Sequence, residues 1–289
     1  MTLLFPFVAS LLFVVGAMFA KRSSDLGGGI WENSFVANIL TALFFSTLWL
    51  LGGKFPGWNF LYQPIIVAVI FVVSQALMFL ALDRGDVSIA TPVLGTKIIF
   101  VAVLQTLLTS TPVGPKLWIA AALATLAVVL LNSSAGGQHS RVAFTIATSL
   151  LCGLFFALFD VLVQNFTPHW GQGRFLPILF FFVALFSLGF IPFFKGPIRR
   201  QSKEIWRPMS LAGLFIGAQA LTFVYAIASF GNATEMNVIY AARGLWSVIA
   251  VWLIGHWFHS HESSLGRAVF QRRIAGAGFL MVAILIVLM

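Results

Sequence analysis

The chain has 289 residues, 60% of them hydrophobic and only 9% charged, with a mean hydropathy of +1.00. At this length a soluble core cannot absorb so much apolar surface, and a single Cys excludes an intramolecular disulfide framework and any Cys-based metal cluster. The net charge of +9 lies mostly in short stretches between apolar runs, which suits anionic lipid headgroups rather than nucleic acid.

Continuous apolar runs predict an all-α membrane protein of ten spans, over residues 3–20, 35–52, 62–82, 87–108, 116–132, 142–165, 174–194, 208–229, 234–258 and 273–289. A membrane β-barrel would instead show short alternating segments. The first run ends at Lys21-Arg22 and has neither a basic start nor a small-residue cleavage site, so it reads as a span and not as a signal peptide. Glycine and proline mark the breaks: Gly27-Gly28-Gly29, Gly52-Gly53, Pro112, Gly114-Pro115, Gly136-Gly137 and Gly196-Pro197. Small residues such as Gly153 and Ala157 in span 6, or Gly276 and Gly278 in span 10, are expected to let helices approach closely. Cys152 in span 6 reads as a small packing residue.

Two stretches share a polar pattern. Gln75-Ala76-Leu77 answers Gln219-Ala220-Leu221, and Phe79 answers Phe223. After a two-residue slip, Gly85 answers Gly231, Ser88 answers Thr234 and Lys97 answers Arg243. Ile119-Ala120-Ala121-Ala122 in span 5 also echoes Ile274-Ala275-Gly276-Ala277 in span 10. The chain therefore divides into two five-helix repeats, residues 1–139 and 140–289. Five is odd, so the second repeat crosses the membrane in the opposite sense, the inverted-repeat architecture of many secondary transporters.

Lys97 lies ~15 Å along span 4 from Val87 and Arg243 ~13.5 Å along span 9 from Thr234, near the midplane of a ~30 Å hydrocarbon core. A charge at that depth costs about 2.5–3.5 kcal/mol and normally faces a cavity or the bundle interior. The two cations are candidates to bind an anionic group. On a continuous helix Tyr240, Trp246 and Ser247 share the face of Arg243, where the rings stack on an organic substrate and the hydroxyl hydrogen-bonds it. Gln75 and Gln219 line the same cavity or hydrogen-bond between helices. Asp160, the acid placed well inside a span, is either an ion-pair partner of one cation or a proton-coupling group. Glu235 reads as a first-turn carboxylate favoured by the helix dipole. His256, His259, His261 and Glu262 cluster near the end of span 9 without a metal-ligand spacing, so no metal and no cofactor is expected. No Walker lysine loop, nucleophile elbow or catalytic His motif is present, which argues against an enzyme.

The segment Ala81-Leu82 followed by Gly85-Asp86-Val87-Ser88-Ile89-Ala90-Thr91-Pro92-Val93 resembles the junction of helices 3 and 4 in the drug/metabolite transporter superfamily, in its ten-helix EamA-type form. The resemblance extends over essentially the whole chain. It implies a carrier working by alternating access, with a central cavity bounded by helices 3, 4, 8 and 9. It also implies basic residues on helices 4 and 9 in the relatives that carry organophosphates and nucleotide sugars, which matches Lys97 and Arg243. The chain departs from the family pattern in three ways. No Glu follows span 4 (Leu107-Leu108-Thr109-Ser110-Thr111-Pro112), Val238 stands where span 9 would repeat Pro92, and the charge count reverses the usual orientation.

The leading expectation is a permease for a small anionic or zwitterionic metabolite in a bacterial cytoplasmic membrane, acting as a monomer or homodimer in contact with membrane lipid. The alternatives are an exporter of amphiphilic drugs or amino acids, with the cations paired structurally to Asp160, and a non-transporting membrane scaffold. Stretches after the odd-numbered spans hold twelve Lys and Arg, and those after the even-numbered spans hold three, Lys54, Lys116 and Arg174. The positive-inside rule then places both termini outside. A reporter fused at residue 200 is expected to read as cytoplasmic, and an external signal there overturns this orientation.

Overall fold

Inside a bilayer every backbone N–H and C=O needs a partner within the chain, which leaves a continuous apolar run little choice but the helix. The computed structural model of the protein describes residues 2–83, 93–109, 113–132, 142–196, 201–246, 249 and 267–289, and no strand occurs among them. The helices are α1 (Leu4–Asp25), α2 (Ile30–Ser46, extended by a 3-10 turn over Thr47–Leu51), α3 (Tyr62–Asp83), α4 (Lys97–Leu108), α5 (Pro115–Asn132), α6 (Val142–Trp170), α7 (Gln172–Phe186, extended by a 3-10 stretch over Ser187–Phe193), α8 (Lys203–Phe230), α9 (Ala233–Tyr240) and α10 (Arg267–Leu288). Among the described residues six helical segments are long and apolar enough to cross a membrane, namely Leu4–Asp25, Ile30–Leu51, Trp58–Ala81, Ala143–Trp170, Gln172–Phe193 and Lys203–Phe230. Lys97–Leu108, Pro115–Leu130 and Ile274–Leu288 are apolar but shorter.

The chain forms two compact units, residues 1–72 with 163–231 and residues 73–162 with 232–289. Each unit draws on both sides of residue 139. In the first, α1 and α2 pack against α8, and α2 also meets α7. The approach of α2 to α8 depends on Gly213 and Gly217, four residues apart on one face. A Cβ at Gly217 would stand 2.8 Å from the Phe44 ring and 3.3 Å from the Thr41 Cα, and one at Gly213 would stand 2.7 Å from the Leu40 side chain. Phe45 and Phe180 stack at 3.8 Å between ring centroids in the α2–α7 contact. In the second unit, α5 and α10 run against each other over a stripe of buried small residues, Ala120, Ala121, Ala124 and Ala127, facing Leu280 and Ala283. Not every predicted contact glycine behaves this way: nothing lies within 4 Å of where a Gly278 Cβ would sit, whereas Gly153 does meet α4, 3.7 Å from the Lys97 backbone nitrogen.

The turn between α8 and α9 is set locally. Gly231 (φ +69°) and Asn232 (φ +60°) both take left-handed conformations, in which glycine and asparagine are the least strained residues. Spans 4 and 9, expected to be continuous, are not. Residues 95–96 and 241–242 form turns, and helix resumes at Lys97 and at Arg243. In the first case Gly95 is a poor helix former and the Thr96 hydroxyl donates to the Val93 carbonyl at 2.7 Å. In the second the ladder tightens to i−3 bonds, Ala242 N to Ile239 O and Gly244 N to Ala241 O, although the turn residues are alanines.

Gly217→Ala forces the Phe44 ring to move and is expected to cost about 1–3 kcal/mol, read as a lowered Tm of the purified protein. Gly278→Ala, with open space around it, is expected to leave Tm unchanged or slightly raised.

Candidate functional site

A carboxylate buried among apolar helices requires a counter-charge or several donors to stay in place. Asp160, on α6 and 2% exposed, has both. Its Oδ2 accepts from Lys97 Nζ at 2.7 Å and from Asn237 Nδ2 at 2.7 Å. The Asn237 amide donates its other hydrogen to the Ala233 carbonyl one turn back, at 2.9 Å. One carboxylate oxygen thus ties α4, α6 and α9 together. The Lys97 side chain is 15% exposed and its ammonium lies 5.9 Å above the Phe156 ring centre. Of the two partners open to Asp160 on sequence grounds, the fold selects Lys97.

Arg243 is placed differently. Its guanidinium lies over the Tyr240 ring, 4.4 Å from the centroid, and Tyr240 is itself 5% exposed. The i−3 spacing placed Tyr240 on the face of Arg243, there to stack on a substrate; in the structure its ring stacks on Arg243 itself, across the turn at 241–242. Lys97, Arg243 and Asp160 all belong to the second compact unit.

The remaining predicted residues divide by position. Trp246 lies in the helical turn that begins at Arg243 and is half-buried. Gln75 is half-buried on α3, within the same compact unit as Lys97 and Arg243. Gln219, 8% exposed on α8, belongs to the other unit. Ser247 and the cluster of His256, His259, His261 and Glu262 lie outside the described residues. Glu235 accepts from Asn232 Nδ2 at 2.8 Å in the first turn of α9, in line with its first-turn reading. The Cys152 thiol is buried and donates to the Ser74 carbonyl at 3.3 Å.

Two residues that sequence reasoning missed hold this site. One is Asn237. The other is Gln105 on α4, fully buried, whose Oε1 accepts from the Thr234 backbone N–H at 2.9 Å and from the Thr234 hydroxyl at 2.8 Å. Its Nε2 donates to Asn232 Oδ1 at 3.3 Å. The first turn of α9 has orphan N–H groups and no cap from its own chain, so a side chain from α4 serves as the cap. The available signal was a polar residue inside an apolar run, Gln105 within KIIFVAVLQTLL and Asn237 within ATEMNVIY.

Residues 1–133 match the model of the EamA-like transporter family. No curated protein shows a significant match to the sequence. A solved structure described only as the crystal structure of a protein has a TM-score of 0.79 at 15% identity, covering 100% of this chain and 98% of that one. At that identity the likeness is one of fold alone. The resemblance to the drug/metabolite transporters drawn from the residues is borne out by the family match over residues 1–133. With its apolar helices, the chain is an integral membrane protein whose matched family is one of transporters and not of enzymes.

Asp160→Ala strands the buried Lys97 cation and is expected to lower stability by about 3–5 kcal/mol in denaturant unfolding. The double variant Lys97→Met with Asp160→Leu is expected to recover most of that loss, since apolar pairs of similar volume replace buried ion pairs with little penalty. Equal stability of the double variant and Asp160→Ala contradicts the pairing.

Proposed function

We propose that this chain, whose residues 1–133 match a transporter family, is a secondary permease for a small anionic or zwitterionic organic metabolite. The observation that carries the reading is the grouping of Lys97, paired to the buried Asp160, with Arg243, stacked on Tyr240, at two helix interruptions of one compact unit. Interrupted helices near the midplane are where carriers of this general kind expose backbone and charge to a substrate. Arg243 is the anchor. A planar guanidinium takes a carboxylate or phosphate through two parallel bonds, and stacking on Tyr240 fixes the plane from which it does so. Trp246, Ser247, Gln75 and Gln219 belong to this reading as further lining residues. Lys97 contributes its charge while Asp160 holds it. A zwitterionic substrate would place its own ammonium against Asp160 in competition with Lys97.

In this reading ten spans form two inverted five-helix repeats, 1–139 and 140–289, that rock about the site in a bacterial cytoplasmic membrane. A second reading has one specific support, the 2.7 Å Lys97–Asp160 bond. If that pair is purely structural, the protein is an exporter of amphiphilic drugs or amino acids with an aromatic-lined path. Substrate charge separates the two readings, since the cationic cluster repels cationic cargo and an aromatic path does not.

In a thermal-shift screen of the purified protein against carboxylate and phosphate metabolites, at least one is expected to raise Tm, by linkage. Arg243→Ala is expected to remove that shift and to abolish uptake of the same compound into proteoliposomes, at unchanged expression. Full binding and transport by Arg243→Ala refutes the anion site, and stabilisation by cationic amphiphiles alone supports the second reading.

A further inference from the structure

The first compact unit contains a concave pocket of about 640 Å³ that the transport reading does not use. It forms between the loop following α2 and the end of α6, with Lys54, Phe55, Phe60, Pro168, His169 and Trp170 on its walls. We propose that this pocket binds the anionic headgroup of a membrane phospholipid, with Lys54 and His169 on the phosphate and Phe55 and Phe60 against its apolar side.

Charge sets the sign of the ligand. Residues 47–62 and 163–175 together contain Lys54, His169 and Arg174 and no Asp or Glu. Arg174 is already engaged, stacked on Trp49 at 4.8 Å and donating to the Trp49 carbonyl at 3.4 Å. The Lys54 ammonium makes no ion pair among the described residues. Depth sets the source. Trp49, Trp58 and Tyr62 around the pocket are 44%, 79% and 57% exposed, and such amphipathic rings settle at the headgroup level of a bilayer. Leu50 and Leu51, 91% and 58% exposed, continue the rim into surface suited to acyl chains, for which a free anion has no use.

The walls are also built in advance. The Lys54 backbone N–H donates to the Trp170 carbonyl at 2.7 Å, and the buried Trp170 indole donates to Gln63 Oε1 at 2.8 Å. Gly53 (φ +136°) and Gly171 (φ +80°) take backbone conformations closed to most side chains, and Gly171 lets the two strands of chain meet, since its Cβ would lie 3.2 Å from the Gly53 Cα. Phe55 meets Trp170 edge-on at 5.6 Å, and Phe60 carries the His169 ring at 4.8 Å. A pocket fixed in this way loses little conformational entropy when a headgroup enters.

The test is native mass spectrometry of the purified full chain titrated with phosphatidylglycerol, phosphatidylcholine or inorganic phosphate. The parent is expected to retain phosphatidylglycerol in preference to phosphatidylcholine. Lys54→Gln is expected to weaken phosphatidylglycerol by about fivefold, the value of one interfacial cation. Adding His169→Gln weakens it further, Lys54→Arg restores it, and phosphatidylcholine retention stays constant throughout. Both positions are exposed, so an unchanged Tm confirms that the variants fold. Equal phosphatidylglycerol affinity in parent and double variant overturns the site. Displacement of the lipid by inorganic phosphate at equal concentration overturns its assignment to lipid in favour of a free anion. Neither outcome bears on the Arg243 site, which is assayed separately.

Discussion

The second compact unit depends on a single carboxylate oxygen. Asp160 Oδ2 receives an ammonium from α4 and an amide from α9, both at 2.7 Å, and Asp160 itself is buried. In a medium of low dielectric an unpartnered charge is far more costly than a paired one, so the three groups hold one another in place. Asn237 is the element that makes the junction more than an ion pair. Its amide spends one hydrogen on Asp160 and the other on the Ala233 carbonyl, which locks the side chain to its own helix while it reaches across to α6. Gln105 adds a tie between α4 and α9 by capping α9 from α4.

These ties explain why the interruptions at 95–96 and 241–242 can persist. A break in a membrane helix releases backbone groups that must find partners within the protein. Here the tightened i−3 bonds of both turns satisfy part of that demand, and the polar side chains of α4, α6 and α9 surround them. The consequence for function is geometric. Each cation stands immediately after a turn, and the Arg243 guanidinium lies over the Tyr240 ring.

The first unit shows the opposite economy, with few buried charges and close apolar packing. Gly213 and Gly217 bring α8 against α2 without intervening side chains, and Phe45 stacks on Phe180 at the α2–α7 contact. Glu32, fully buried at the start of α2, accepts the Lys195 backbone N–H at 2.5 Å and so pins the chain beyond Phe193 to α2.

Much of this was legible in the residues. Apolar run lengths determined the helical membrane class, because lipid leaves backbone groups no other partner. The placing of Lys97 and Arg243 in matching contexts singled them out, because charge inside an apolar run is too costly to be incidental. Gly231-Asn232 marked its turn, since few other residues tolerate a positive φ. Tertiary structure alone decided which cation Asp160 takes, because both were reachable until α4 and α6 were packed face to face. It also decided the break before Arg243. Ala241 and Ala242 are the best of helix formers, and nothing local stops a helix there. One turn earlier, Asn237 is bonded to Asp160 on another helix, a contact between residues 77 positions apart that no local pattern encodes.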